Sequence, residues 1–205
     1  MAQPWLVLGA MGVIFDEPDD VAAHLVPFVR ERNPQISART VRNLYNVLII
    51  GEISTLQFWR SLGLPDDSDA EYVPLYRLDP LFLPLAREWV HATKLGLIAN
   101  QVAEWWAALR QLHGLGDVIS VATVSGTSGS RKPDTGIFKD FLAESAAQPS
   151  DCLFVDDRAV NLAAAARLGF HPVLFDRAPG QDWPGPRASS FDELAPIAAE
   201  WLSHS

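Results

Sequence analysis

Leu153-Phe154-Val155-Asp156-Asp157-Arg158, followed by Asn161 and Gly169, is the stretch of this 205-residue chain that decides its fold. A buried apolar strand ends here in two adjacent carboxylates, and a helical segment that Gly169 can terminate begins directly after them. Adjacent carboxylates repel each other, so we expect a cationic group, either a metal ion or a lysine, close to them. The stretch predicts a strand–helix unit whose functional groups lie at the carboxyl end of the strand.

A basic loop lies upstream of this unit. Ser130-Arg131-Lys132-Pro133-Asp134 follows a Gly/Ser-rich stretch at residues 125–129 and opens a helical pattern. A lysine between such a loop and a helix N-terminus is suited to hold an anion or to pair with the two aspartates. A structural ion pair and a ligand-binding role for Lys132 are equally compatible with the sequence.

The rest of the chain supports a parallel sheet. Short apolar runs typical of strands buried on both faces alternate with helical patterns over residues 94–176, which predicts a doubly wound α/β fold. The predicted strands are residues 5–8, 95–98, 118–121, 152–155 and 172–175. The predicted helices are residues 102–113, 134–147 and 160–168, followed by a loop at 178–189 and a closing helix at 190–202.

The segment between the first two strands is helical throughout. A crossover between parallel strands needs about a dozen residues, whereas about 75 residues lie here. Ser54 and Gln57 have the spacing of a capping box, and Asp19 or Asp20 and Ser37 are suited to start two earlier helices. We therefore predict an α/β core formed by residues 1–16 and 88–205, with a helical cap, residues 17–87, inserted after the first strand.

Composition excludes several classes of protein. The net charge is 16 − 25 = −9, and an acidic surface disfavours binding to nucleic acids or anionic membranes. Cys152 is the single cysteine, which excludes an intrachain disulfide and suits a reducing cytoplasm. Neither a signal peptide nor a long apolar span is recognised. We expect a cytoplasmic protein whose partner is a small molecule, with a protein partner or a homodimer as further options.

Some aromatic and acidic residues have structural interpretations. Trp59 is expected in the core of the cap. Because adjacent helical residues point in different directions, one of Trp105 and Trp106 is expected in the core and the other exposed or at an interface. The acidic run at residues 66–69 is expected to be a solvated loop.

Together, the motifs resemble those of the haloacid dehalogenase-like superfamily, which consists mainly of phosphatases and phosphotransferases. Lys132-Pro133-Asp134 is similar to the family's third motif, and Val155-Asp156-Asp157-Arg158 with Asn161 is similar to its fourth. Leu95-Gly96-Leu97-Ile98-Ala99-Asn100 resembles the second. The resemblance covers nearly the whole chain and implies a Rossmann-like parallel sheet with an inserted helical cap.

The first motif departs from the family pattern. The family's Asp-x-Asp-Gly-Val carries a nucleophile that also holds Mg²⁺, followed by an acid/base, and here the matching residues are Gly9-Ala10-Met11-Gly12-Val13. Ala99 stands where the family has a Ser or Thr that helps to hold the phosphoryl group. Glycine cannot form an aspartyl-phosphate, and methionine cannot transfer a proton. The resemblance thus implies a pseudoenzyme with respect to phosphoryl transfer, without a cofactor and with Mg²⁺ bound weakly or not at all at Asp156 and Asp157.

The altered site still predicts a ligand pocket below the cap. We expect five residues to line it: Gly9, Met11, Ala99, Asn100 and Lys132. The first hypothesis is a non-catalytic protein that binds a small molecule or a partner in the cap–core cleft. The second is a repurposed lyase-, isomerase- or cyclase-type enzyme in which Lys132, Asp156 or Asp157 is catalytic. The third is a weak phosphatase or hydrolase that uses an unexpected residue.

Overall fold

A six-stranded parallel sheet forms the centre of the protein, as seen in a computed structural model that describes residues 3–177 and 180–204. The strands are β1 (Trp5–Leu8), β2 (Lys94–Ala99), β3 (Ile119–Val124), β4 (Cys152–Asp156), β5 (His171–Phe175) and β6 (Arg187–Ala188). Their order in the sheet is β3-β2-β1-β4-β5-β6. The predicted doubly wound α/β fold is confirmed, whereas β6 lies within the predicted 178–189 loop.

The strand order places the conspicuous motifs together. β1 lies between β2 and β4, and Leu8 is in register with Leu97 on one side and Val155 on the other. Because the strands are parallel, the segments that follow them all emerge at one edge of the sheet. The residues after β1, β2 and β4 therefore meet.

Helices separate the later strands and follow the last one. All four helices predicted in this part of the chain are present, with boundaries shifted by one or two residues. They are α6 (Ala103–Leu112), α8 (Thr135–Ser145), α9 (Ala159–Leu168) and α10 (Phe191–Ser203), with the short α7 (Ser125–Ser128) after β3. Single 3₁₀ turns occur at Leu115–Asp117 and Pro149–Asp151. No helix among the described residues is long and apolar enough to cross a membrane.

Helices also occupy the segment between β1 and β2. They are a π-helical turn (Val21–Leu25), α1 (Val26–Arg32), α2 (Ala38–Leu48), α3 (Thr55–Ser61), α4 (Asp69–Tyr72), a 3₁₀ turn (Val73–Leu75) and α5 (Phe82–Trp89). The capping box at the start of α3 is confirmed, because the Ser54 and Gln57 side chains each bond the other residue's backbone N–H. The domain boundaries at residues 16/17 and 87/88 stay a prediction. Five residues included in the predicted domains lie outside the described residues, namely Met1, Ala2, Ala178, Pro179 and Ser205.

An aromatic cluster joins the inserted helices to α6. Trp105 of α6 contacts Trp59 and Tyr72, with ring centroids 5.8 and 4.6 Å apart. The Asp69 carboxylate accepts hydrogen bonds from the indole N–H groups of Trp59 (2.7 Å) and Trp105 (2.5 Å). Asp69 is thus bound to the core, although the acidic run was predicted to be solvated. Both Trp105 and Trp106 are buried within the chain, so neither takes the exposed position that was one of the two expectations for the second tryptophan.

Candidate functional site

The floor of the site is the edge of the sheet where β1 ends. Gly9 follows β1 directly, and its N–H donates to Val155 O at 2.8 Å. A Cβ added to Gly9 would lie 3.1 Å from Asp156 Oδ2 and 3.5 Å from Lys132 Nζ. Position 9 thus adjoins both conspicuous charges and contributes no side chain to them.

Lys132 and Asp156 form a buried ion pair. Lys132 Nζ lies 2.6 Å from Asp156 Oδ2 and donates a second hydrogen bond of 2.6 Å to Ile98 O. The two side chains are 5% and 1% exposed. The cation expected beside the two aspartates is therefore this lysine, which ties the loop before α8 to the ends of β2 and β4.

The second oxygen of Asp156 is also occupied. Asp156 Oδ1 accepts hydrogen bonds from Asn161 Nδ2 at 2.8 Å and from the Arg158 backbone N–H at 3.0 Å. Asn161 thus cross-links β4 to α9. The buried carboxylate of Asp156 is fully partnered, as burial of a charge requires.

Asp157 is in a different position. Its nearest cation among the described residues is Arg158 Nε, 4.0 Å from Asp157 Oδ2. Burial, together with the adjacent charge of Asp156, raises the pKa of Asp157 to about 7. Gly12 makes room for the carboxyl group: its φ is +72°, and a Cβ there would lie 2.7 Å from Asp157 Oδ2. The two adjacent aspartates thus differ, since one is paired and the other is held in a site that disfavours its charge.

Asp157 therefore lowers stability at alkaline pH. Because its pKa is higher in the folded chain than in the unfolded chain, the folded state binds more protons between about pH 4 and 7, and stability falls as the pH rises through that window. Asp157→Asn removes this effect, so we expect it to stabilise the protein by up to about 4 kcal/mol at pH 8. The gain should disappear near pH 4.

Thermal unfolding in a chelating buffer across this pH range measures the difference. Asp67→Asn, in the exposed loop, removes the same charge and is the matched control. An Asp157→Asn variant that is no more stable than the wild type at pH 8 would contradict the account.

The described side chains leave few free oxygen ligands at the ends of β1 and β4. Mg²⁺ takes oxygen ligands, with protein carboxylates prominent among them. At these two strand ends both oxygens of Asp156 are already bonded, position 9 has no side chain, and the Asp157 carboxyl is the remaining carboxylate among the described residues. Within residues 3–177 and 180–204, no group of three or more His, Cys, Asp or Glu side chains could hold a metal ion.

A cavity of about 320 Å³ lies between this floor and the inserted helices. Three residues proposed from sequence to bind a ligand line it, namely Met11, Asn100 and Lys132, and so does Asp157. Gly9 and Ala99 are buried behind the wall and do not line the cavity, and neither does Asp156. Asn100 is locked in place, because its side chain exchanges two hydrogen bonds with the Lys132 backbone, of 2.9 and 2.7 Å.

Sequence reasoning missed the basic side of this cavity. Arg42, Arg131 and Arg158 line it, together with Tyr45 and Asn46 of α2. Arg131 was visible within the basic loop before α8. No sequence signal indicated that α2 would supply Arg42 and Asn46, because their position depends on how the inserted helices pack over the sheet.

A buried acid also faces the cavity. Asp20 lies in its wall, and Asp20 Oδ2 accepts a hydrogen bond of 2.7 Å from the Tyr76 hydroxyl. Burial raises the pKa of Asp20, only partly opposed by this hydrogen bond. The cavity thus has a weakened negative charge on this side.

A second ion pair anchors the loop that follows β1. Arg177 Nη2 lies 2.7 Å from Asp79 Oδ2 and also donates to Val13 O at 2.8 Å. Asp16, at the end of this loop, lies 3.8 Å from the same guanidinium nitrogen. It does not line the cavity. The loop from Gly9 to Asp16 is therefore held by contacts outside the cavity.

Comparison with known proteins identifies relatives of this chain. The sequence pattern of haloacid dehalogenase-like hydrolases matches residues 45–169. A 74-residue segment is 28% identical to flavin mononucleotide hydrolase 1 of Arabidopsis thaliana and covers 36% of this chain but only 30% of that protein.

Two solved structures have the same fold. A HAD phosphatase from Thermococcus onnurineus matches with a TM-score of 0.73 and 18% identity over 95% of this chain and 97% of that one. A HAD family enzyme from Bacteroides thetaiotaomicron, solved as a magnesium complex, matches with a TM-score of 0.70 and 18% identity over 90% and 98% of the two chains.

Proposed function

Because this chain belongs to the haloacid dehalogenase-like hydrolase family, and because Gly9 stands where the family's nucleophile is expected, we propose that it binds a small organic ligand in its cavity without transferring phosphoryl groups. Gly9 is the observation that carries the proposal. A side chain there would point at Asp156 and Lys132, yet glycine offers no atom that could attack phosphorus.

The charges around Gly9 support a non-phosphoryl function. In the family, two more carboxylates are expected beside this lysine and aspartate. Here Lys132 and Asp156 neutralise each other, and Ile98 O and Asn161 satisfy their remaining bonds. The protein itself supplies the hydrogen-bond partners of the pair, which supports a role in holding the floor of the cavity together.

The cavity itself supports a binding function. Its volume of about 320 Å³ lies at the lower end of the range for small-molecule sites, and polar groups from both sides converge on it.

Catalysis of another type is the second candidate. Asp157 lines the cavity and has a pKa of about 7, which suits a group that gives and takes protons near neutral pH. In this alternative, Asp157 acts as the acid or base of a lyase-, isomerase- or cyclase-type reaction, with Lys132 and Asp156 holding it in place. Asp157→Asn would then abolish turnover while ligand binding persists.

Phosphatase activity is the direct test. We expect the purified protein to release no phosphate above background from p-nitrophenyl phosphate or from flavin mononucleotide, with or without MgCl₂. Flavin mononucleotide is included because one relative is named a flavin mononucleotide hydrolase. Asp157→Asn serves as the site-altered control, so that any contaminating activity is recognised by its persistence in the variant.

A ligand screen tests the other half of the proposal. Thermal unfolding is measured with phosphorylated and non-phosphorylated metabolites, since a ligand at 100 times its Kd adds about 2.7 kcal/mol of stability. Saturable Mg²⁺-dependent phosphate release that is lost in Asp157→Asn would overturn the proposal. Failure of every ligand class to stabilise the protein would overturn the binding function.

A further inference from the structure

The basic wall of the cavity combines residues from two distant parts of the chain. Arg42 and Asn46 lie one turn apart on α2 and hence on the same face of the helix, with Cβ atoms about 6 Å apart. Arg131, from the loop before α8, donates a hydrogen bond of 3.0 Å from Nη1 to Asn46 Oδ1. Asn46 thus holds the Arg131 guanidinium beside the helix face that carries Arg42.

These two arginines are poorly neutralised by the protein. The nearest carboxylate to Arg42 is Asp19, at 4.0 Å. Within residues 3–177 and 180–204, Arg131 has no carboxylate within 4.0 Å of its guanidinium nitrogens. Two like charges repel when they are held together, so a wall built this way is more stable when an anion lies between them.

Neighbouring groups leave the positive charge in place. Lys132 is paired with Asp156. Asp20 is the buried acid in the same cavity, and burial raises the pKa of its carboxyl group. Arg158 adds a further guanidinium to the lining, 4.0 Å from Asp157. Asp19 also lines the cavity, 4.0 Å from Arg42, so the lining carries four basic and three acidic side chains in a chain with a net charge of −9.

We propose that Arg42 and Arg131 form an oxyanion-binding site, positioned by Asn46, and that the cavity ligand is a small organic phosphate or carboxylate whose charged group lies between them. Guanidinium groups match both oxyanions because their N–H donors form a planar fork. The less polar part of the ligand would lie against Met11, Tyr45 and Ile49. This inference rests on the proposed ligand-binding function and names the class of ligand.

The site differs from one that Lys132 would form. An anion bound by Lys132 would compete with Asp156 for an ammonium group that is 5% exposed. An anion bound by Arg42 and Arg131 breaks no internal ion pair shorter than 4.0 Å. The arginine wall is therefore the less costly place for a negative charge.

Titration calorimetry with inorganic phosphate, at constant ionic strength set by NaCl, tests the site. We expect Arg42→Gln and Arg131→Gln each to weaken phosphate binding about tenfold or more, since each removes charged hydrogen-bond donors. Arg39→Gln is the matched control: it removes the same charge from the same helix at a position that does not line the cavity. We expect it to change the Kd by less than about twofold.

Asn46→Asp gives a readout that a merely structural role would not produce. The substitution keeps the size of the side chain and places a carboxylate beside both arginines. We expect it to raise the unfolding temperature in phosphate-free buffer and to abolish the response to phosphate, because the built-in anion replaces the ligand. Lower stability of Asn46→Asp in phosphate-free buffer would overturn the assignment.

The ligand class is then resolved with a matched pair of probes, phenyl phosphate and benzoate. Tighter binding of either than of phenol, lost in Arg131→Gln, supports the site and identifies the preferred oxyanion. Binding that is equal in wild type, Arg42→Gln and Arg131→Gln would overturn it, as would the absence of any response to phosphate, phenyl phosphate and benzoate. The proposed function would survive that failure if a neutral metabolite stabilised the protein.

Discussion

Lys132→Met is expected to lower the free energy of unfolding by about 3–5 kcal/mol, because it leaves a buried carboxylate without its cation. Asp156 is 1% exposed, so water cannot replace the missing ammonium group. The Ile98 carbonyl loses its partner as well. For a chain of this length, each kcal/mol shifts the unfolding temperature by about 2–4 °C, so a fall of about 10 °C is expected.

Two further variants separate charge pairing from simple loss of the side chain. Lys139→Met, on an exposed position of α8, removes the same charge and should change the unfolding temperature by about 1 °C or less. Adding Asp156→Asn to Lys132→Met neutralises the stranded carboxylate and should recover part of the loss. Asn at 156 still offers an oxygen to Asn161 Nδ2 and to the Arg158 N–H.

Denaturant unfolding of the wild type, Lys132→Met, Asp156→Asn and the double variant gives the coupling energy of the pair. If Lys132→Met is as stable as the wild type, or if the double variant is less stable than both single variants, the ion pair does not hold the floor of the cavity as we infer. In that case Lys132 would be free to serve a ligand.

Gly9→Asp is expected to make the stability of the protein depend on Mg²⁺. The φ of Gly9 lies outside the left-handed region, so an ordinary residue fits the backbone. The new carboxylate would extend from a Cβ only 3.1 Å from Asp156 Oδ2. The carboxyl group of Asp157, the residue after Asp156, lies at the same edge of the sheet. Without a metal ion, three clustered carboxylates repel one another, and the unfolding temperature should fall by several degrees.

Magnesium should reverse this loss. With a third carboxylate the edge offers the oxygen ligands that Mg²⁺ prefers, and saturating MgCl₂ adds stability as RT ln(1 + [Mg²⁺]/Kd). Gly9→Asn has nearly the same volume without the charge and should show no such recovery. The wild type should be unaffected by MgCl₂ beyond the effect of ionic strength.

Calorimetric titration with MgCl₂ completes the test. If the wild type binds Mg²⁺ as tightly as Gly9→Asp does, the absence of a carboxylate at position 9 does not determine the affinity of the site for Mg²⁺. Equal responses from Gly9→Asp and Gly9→Asn would lead to the same conclusion.

The sequence by itself determined the parallel sheet, its first five strands and the residue types at the end of β1. Short apolar runs and helical spacing are local properties, and the motifs predicted that Lys132 and Asp156 converge at the carboxyl edge of the sheet, where they form an ion pair. The absence of carboxylates at positions 9 and 11 was equally visible, since the chemistry of glycine and methionine is a property of the residues themselves. The expected cation beside Asp156 and the capping box at Ser54 followed from the same local chemistry.

Only the tertiary structure decided which groups face the cavity and which charges are neutralised. Asp156 and Asp157 are adjacent in sequence, yet one is paired and the other has a pKa of about 7, because distant residues fix the environment of each. Asn46 and Arg131 are joined by a hydrogen bond across 85 residues of chain. Trp106 is buried because α6 is covered on more than one side. These features depend on the packing of helices over a sheet edge, which is a sum of many long-range contacts that no local pattern records.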